Sequence, residues 1–362
     1  MSTFMSRLPR SLRGSGRLLR TRWAKVVLGL ILIASAVAFD VSALSERLDP
    51  NGATAPTANA PDGGRQQRQG AAPTDSSPAQ TTLPPEPPVG PYQPNTAGQI
   101  MVIAYHAFGS EEGRWTRTPA GFLADLQALY RKGYRPVNLI DMVTGKMDVP
   151  KGYSPVVITF DDGREGQFRY ITGEDGQQRV DPTSAVGVML AFNKDHPDWK
   201  LRATFFVSDV PFQKADWPEK VRFLVANGME IGDHTLSHVS LAKATKEATI
   251  KEVGGEAKRM AGAIPGYNLS TLALPGGEAP AFPDVALEGV YDGFSYSMKA
   301  TVLVGAGPAP SPLSKNFNPQ RIPRIQAVDP SLDVQFALPY WMSYFDKHPE
   351  LRYVSDGTGN MK

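Results

Sequence analysis

Residues 156–163 read VVITFDDG. The β-branched and aromatic run VVITF has the composition of a buried strand, and Asp-Asp-Gly is where a chain turns. A lone Asp-Asp-Gly is most often only a turn. Two adjacent carboxylates at the end of a buried strand, however, need something positive beside them. Successive strand side chains point to opposite faces, so Asp161 and Asp162 are expected to serve different neighbours.

Outward from this stretch, strand and helix alternate. IMVIAYHA (100–107) reads as a buried strand. Thr118 and Pro119 open a helix with apolar Phe122, Leu126, Leu129 and Tyr130, and Gly133 ends it. RPVNL is a short strand and IDMVTGK a short helix. SAVGVMLAFNK (184–194) reads as helix, ATFFV (203–207) as strand, Pro218 to Asn227 as helix, and MEIG as strand. A long helix is expected over about 242–262, then a strand at TLAL (271–274). Such alternation implies parallel strands with helical crossovers, an α/β sheet or (β/α) barrel. In those folds the reactive groups gather at the carboxyl ends of the strands.

The chain has 362 residues, 41 % apolar, with 16 Phe and no Cys. That composition suits a large core and rules out disulfides and thiolate metal sites. The first 25 residues hold seven of the 38 basic side chains and none of the 36 acidic ones. The remainder therefore has 31 basic against 36 acidic residues, a net of −5, which argues against a nucleic-acid partner. Behind the basic segment runs VVLGLILIASAVAF (26–39), with Ala34, Ala36 and Ala38 near its end. That is the order of a signal peptide or signal anchor, with the basic end cytoplasmic and the rest exported. Residues 45–97, rich in Pro, Ala, Gly, Thr and Gln, read as a disordered tether. The expected organisation is 1–44 basic segment plus membrane signal, 45–97 linker and 98–362 catalytic domain.

The chain has five histidines. His106 ends one expected strand, and His234 and His238 follow another in GDHTLSH. Two histidines four apart lie on one face of a helical turn, a spacing at which both can ligate one metal. A lone pair of this kind is more often a surface feature. Here Asp161, Asp162, His106 and the pair all fall at strand ends, where side chains of a parallel sheet converge. His196 and His348 each precede a proline and are assigned structural or surface roles. A metal ligand beside a free carboxylate is the minimum for metal-assisted hydrolysis.

TFDDG (159–163), ATFFV, EIGDHT (230–235) and HTLSH (234–238) together resemble the polysaccharide deacetylases of the NodB-homology, carbohydrate esterase family 4 group. The early Tyr-His strand and the helix ending KGY look most like the poly-N-acetylglucosamine deacetylases. The resemblance covers roughly residues 100–330. It implies a distorted or incomplete seven-stranded NodB-like barrel that hydrolyses acetamido groups on an N-acetylglucosamine-containing polysaccharide. It further implies Asp161 as general base, His106 as general acid, and Asp162, His234 and His238 as ligands of a divalent metal, usually Zn2+. LALPGGEAP (272–280) corresponds to the family's third motif, with Pro275 and the Gly276 N–H at the oxyanion. The arginine often found upstream of that proline is absent, and Gly276 stands where an aromatic is usual. Arg321 and Arg324 are the candidates to replace the arginine. GREGQFRYITGEDGQQRVDP (163–182) is expected to form a loop over the strand ends. Two rivals remain on the residues alone: an inactive carbohydrate-binding protein on the same fold, and a metal-independent glycoside hydrolase on a β/α barrel.

Overall fold

The computed structural model of the chain describes residues 92–359 other than positions 306 and 333. The basic leader, the apolar run and residues 45–91 of the expected tether lie outside the described residues. Within them, no helix is long and apolar enough to cross a membrane.

The elements follow the alternation of the sequence. They are β1 (Gln99–Tyr105), α1 (Pro119–Arg131), β2 (Tyr134–Val137), α2 (Leu139–Val143), β3 (Ser154–Phe160), α3 (Ala185–Asp195), β4 (Thr204–Val207), α4 (Trp217–Ala226), β5 (Glu230–Asp233), α5 (Lys246–Ala263) and β6 (Thr271–Ala273). After these come β7 (Ala300–Val302), β8 (Ala309–Pro310), β9 (Ile325–Gln326) and α6 (Leu338–Lys347). Helix starts are set by side-chain caps: the Thr118, Ser184 and Thr245 side chains accept from the N–H of Gly121, Gly187 and Ala248.

The main sheet has nine strands in the order β7-β6-β5-β4-β3-β1-β8, with β2 also on β3 and β9 also on β1. All its pairings are parallel except β1 with β8. The excess over the expected seven has a simple origin. β2 pairs Ser154–Val157 and β4 pairs Thr159–Phe160, so two short strands share one edge of β3. β8 and β9 share the outer edge of β1 in the same way. Nine strands thus occupy seven positions, as an incomplete barrel should. One bridge, Val302 with Ile322, brings the segment leading to β9 against β7.

Side-chain alternation builds two layers. Ile103, Tyr105, Ile158, Phe160 and Phe205 pack with Phe122, Leu126, Met189 and Val253 of the helices. Ile100, Val102, Val157, Phe206, Ala273 and Val302 fill the interior. A buried acid ties the interior together. Glu230 accepts from the hydroxyls of Thr204 and Thr271 (both 2.7 Å) and from the Ile140 N–H (3.0 Å). The folded domain also starts earlier than residue 98. The Asn95 N–H donates to Val354 O at 2.9 Å, and the Arg352 guanidinium lies 4.5 Å from the Tyr92 ring centre. Residues 163–182 are not a bare loop but contain an antiparallel ribbon, Tyr170–Thr172 against Gln178–Val180.

Candidate active site

β3 delivers Asp161 by parity: Val157, Thr159 and Asp161 point inward, while Ile158 and Phe160 face the helices. Asp161 is 1 % exposed, and its carboxylate receives two bonds of 2.6 Å from the Arg324 guanidinium. Arg324 also donates to the Thr159 hydroxyl (3.0 Å) and to Leu303 O (2.7 Å). Four of the five N–H groups of this buried cation are thereby bonded. Burial alone would push the Asp161 carboxyl up; the Arg324 charge and its hydrogen bonds override that and hold it at about 2.

The next residue turns away. Asp162 has φ +73°, a left-handed conformation that favours glycine, and Gly163 continues the turn at +62°. Asp162 Oδ1 lies 3.3 Å from His234 Nε2 and 3.1 Å from His238 Nε2, while Oδ2 accepts from Arg164 Nε at 2.8 Å. Against the pull of its partial burial, the two imidazoles and Arg164 hold the Asp162 carboxyl far below the usual carboxylate range.

The histidine pair corrects one expectation. His234–His238 is a turn, not a helical face, with Thr235 at φ +63° and His238 at +55°. Hydrogen bonds hold this strained turn in place. Asp233 Oδ1 accepts from the Thr235 N–H (2.7 Å), and the Glu252 carboxylate accepts from the Ser237 N–H and hydroxyl (both 2.9 Å). Glu252 O also accepts from the Leu236 N–H at 2.9 Å.

His234 Nδ1 sits 2.8 Å from Ala273 O. A carbonyl only accepts, so Nδ1 carries the hydrogen, and in the neutral ring Nε2 is then the atom with a lone pair toward Asp162. Two imidazole nitrogens facing one carboxylate oxygen need protons or a cation between them. Ligand atoms bound tetrahedrally at 2.0–2.2 Å from zinc lie about 3.3–3.6 Å apart, close to the 3.1 and 3.3 Å found here. Asp162, His234 and His238 also form the one group of carboxylate and imidazole ligand atoms among the described residues that could hold a metal. The donor set fits a divalent ion, and the half-exposed His238 leaves one side open.

His106 follows β1 on the same inward parity. Its Nε2 is 3.7 Å from Asp161 Oδ2, close but too long for a hydrogen bond. Burial lowers its pKa from 6.5, only partly opposed by Asp161. Of the two candidate arginines, Arg324 alone reaches the site; Arg321 is exposed on the approach to β9 and contacts none of these groups. Pro275 is buried just past β6, beside the carbonyl that holds His234. Gly276 has φ +71°, and a side chain built on it would meet only open space. His196 and His348 pack on Phe192 and Tyr344, consistent with structural roles.

Two neighbours escaped the reading of the sequence. Gln167 Nε2 donates to the carbonyls of His106 (2.7 Å) and Asp161 (2.5 Å), tying two strand ends together. Trp115 lies beside the His106 ring, 4.7 Å between centroids. A groove of about 530 Å3 near Leu269, Ser270, Phe294 and Lys299 contains none of these residues. It sits at the opposite end of β6, away from the carboxylates.

Residues 148–288 match the family described as polysaccharide deacetylase. Among solved structures, the deacetylase PplD of Streptococcus pyogenes, in complex with acetate, superposes at TM-score 0.49 with 18 % identity over 64 % of this chain and 93 % of that one. IcaB of Ammonifex degensii gives 0.47 and 16 % over 69 % and 99 %. A polysaccharide deacetylase of Bacillus cereus gives 0.46 and 19 %, over 64 % of this chain and 65 % of that one.

Proposed function

We propose that this chain, whose residues 148–288 form a polysaccharide deacetylase domain, removes acetyl groups from an N-acetylglucosamine-containing polysaccharide of the cell envelope or matrix, using a divalent metal. Asp162, His234 and His238 would hold the ion, which supplies a Lewis acid that polarises the amide and acidifies water. Zinc suits the imidazole and carboxylate donors. The basic and apolar start of the chain (residues 7–39) supports an exported, membrane-anchored or secreted protein.

The observation that carries this reading is the division of the two aspartates. Asp162 Oδ1 faces both histidines, whereas both oxygens of Asp161 are gripped by Arg324. Asp161 is thereby kept ionised and aimed, able to take a proton from water as it adds to the amide carbon. A carboxyl held near 2 passes that proton readily to a neighbouring imidazole, and His106 lies 3.7 Å away. His106 then protonates the sugar nitrogen as the C–N bond breaks, leaving acetate and a free amine. The Gly276 N–H would supply a donor for the developing oxyanion.

The test is acetate release from an N-acetylglucosamine oligomer, abolished by EDTA and restored by Zn2+. Asp161→Asn should retain zinc and lose turnover, while His234→Ala should lose both. Turnover indifferent to chelation, or near-normal activity in Asp161→Asn, would sink the proposal.

A further inference from the structure

We propose that Trp115 is a stacking platform for a pyranose ring of the polymer, a sugar subsite at the mouth of the active site. The inference rests on the deacetylase reading above. Trp115 occupies the tip of a tight turn closed by two bonds between Gly113 and Thr116, of 2.9 and 3.2 Å. Turn tips favour Gly, Asn, Asp and Ser, so a bulky indole there is not explained by the turn. Trp115 is 44 % exposed.

The turn is anchored so that the ring is held in place. The Ala107 N–H donates to Trp115 O at 2.9 Å, directly after His106. Gln326 reaches from β9 to Arg114 O. Below the tip, Arg117 is fixed by Asp125 (2.8 Å), Glu112 (2.9 Å) and Asp329 (3.2 Å). The ring is tilted against His106, 4.7 Å between centroids, and the Arg114 guanidinium lies over the ring at 5.7 Å from its centre. A large, partly exposed aromatic side chain thus stands beside the proposed proton donor. A pyranose presents a face of C–H groups that suits the electron-rich face of an aromatic ring. Gly276 puts no side chain into the open space before it, and Trp115 offers an aromatic surface beside His106.

The test reads binding rather than turnover. The full chain carrying Asp161→Asn is loaded with Zn2+ and titrated calorimetrically with a β-linked N-acetylglucosamine pentamer. Adding Trp115→Ala should weaken binding about tenfold, and Trp115→Tyr should restore it to within about threefold. Trp115→Leu, similar in bulk without the ring, should behave like Ala and serves if the Ala variant does not fold. Unchanged affinity in Ala or Leu, or a Tyr variant as weak as Ala, overturns the platform, as does a parent chain that does not bind the pentamer. Because the parent has no turnover, a wild-type chain that binds the oligomer but releases no acetate would defeat the deacetylase reading and leave the subsite standing.

Discussion

Replacing Arg324 by Met should raise the acid limb of the activity profile and destabilise the domain together. Arg324 has no exposed surface and spends two of its bonds on Asp161. The fall of the Asp161 carboxyl from 3.8 to about 2 corresponds to about 2.5 kcal/mol, and this is what remains after burial has pulled the other way. Without the guanidinium, burial is opposed only by the weaker pull of His234 and His106, so the carboxyl should titrate well above its parent value of about 2. Stranding a buried charge by removing its partner costs about 3–5 kcal/mol. The sign is fixed by the depressed value. In the parent, the pair's contribution is present above pH 3.8 and lost as pH falls toward 2. The assays are kcat/KM against pH and urea unfolding at neutral pH. Arg324→Met with Asp161→Asn should regain much of the lost stability, because the charge is then gone. An unshifted acid limb in Arg324→Met, with a loss of stability under about 1 kcal/mol, would refute the reasoning.

Two further outcomes follow from residues behind the site. Burial raises the Glu256 carboxyl to about 7 against an ordinary 4.5, so its contribution to stability is full below pH 4.5 and lost as pH rises through 7. Glu256→Gln should flatten that decline, by about 3 kcal/mol at most; thermal melts across pH 4–8 that keep the parent's slope would contradict it. Glu252→Ala removes the clamp on Ser237 and should weaken zinc affinity by about 10- to 100-fold, measured by competition with a chromogenic chelator. Parent-like affinity would show that the turn holds itself.

Most of the fold was legible because apolar alternation and helix caps are local signals. Thr118, Ser184 and the VVITF run marked elements that the structure reproduces within a residue or two. The sharing of one strand edge by two short strands was not legible, since it depends on where each strand stops along its partner. The histidine pair shows a subtler limit. The four-residue spacing pointed to the right residues for a helical reason, whereas a turn with two left-handed residues brings them together. Arg324 lies 163 residues from Asp161 and could be proposed only to fill a missing charge. Gln167 and Trp115 have no motif; their importance comes from where the chain folds them.

The stretch that carries Arg324 also has a mechanical consequence. Residues 319–322 bond to the rim of β7 and residues 325–326 to the rim of β1, so this one stretch seals two sheet edges that would otherwise template aggregation. Catalytic alignment and colloidal good behaviour therefore hang on the same short piece of chain. Damage there should silence the enzyme and make it sticky at once, so that in this protein solubility and activity are not independent traits.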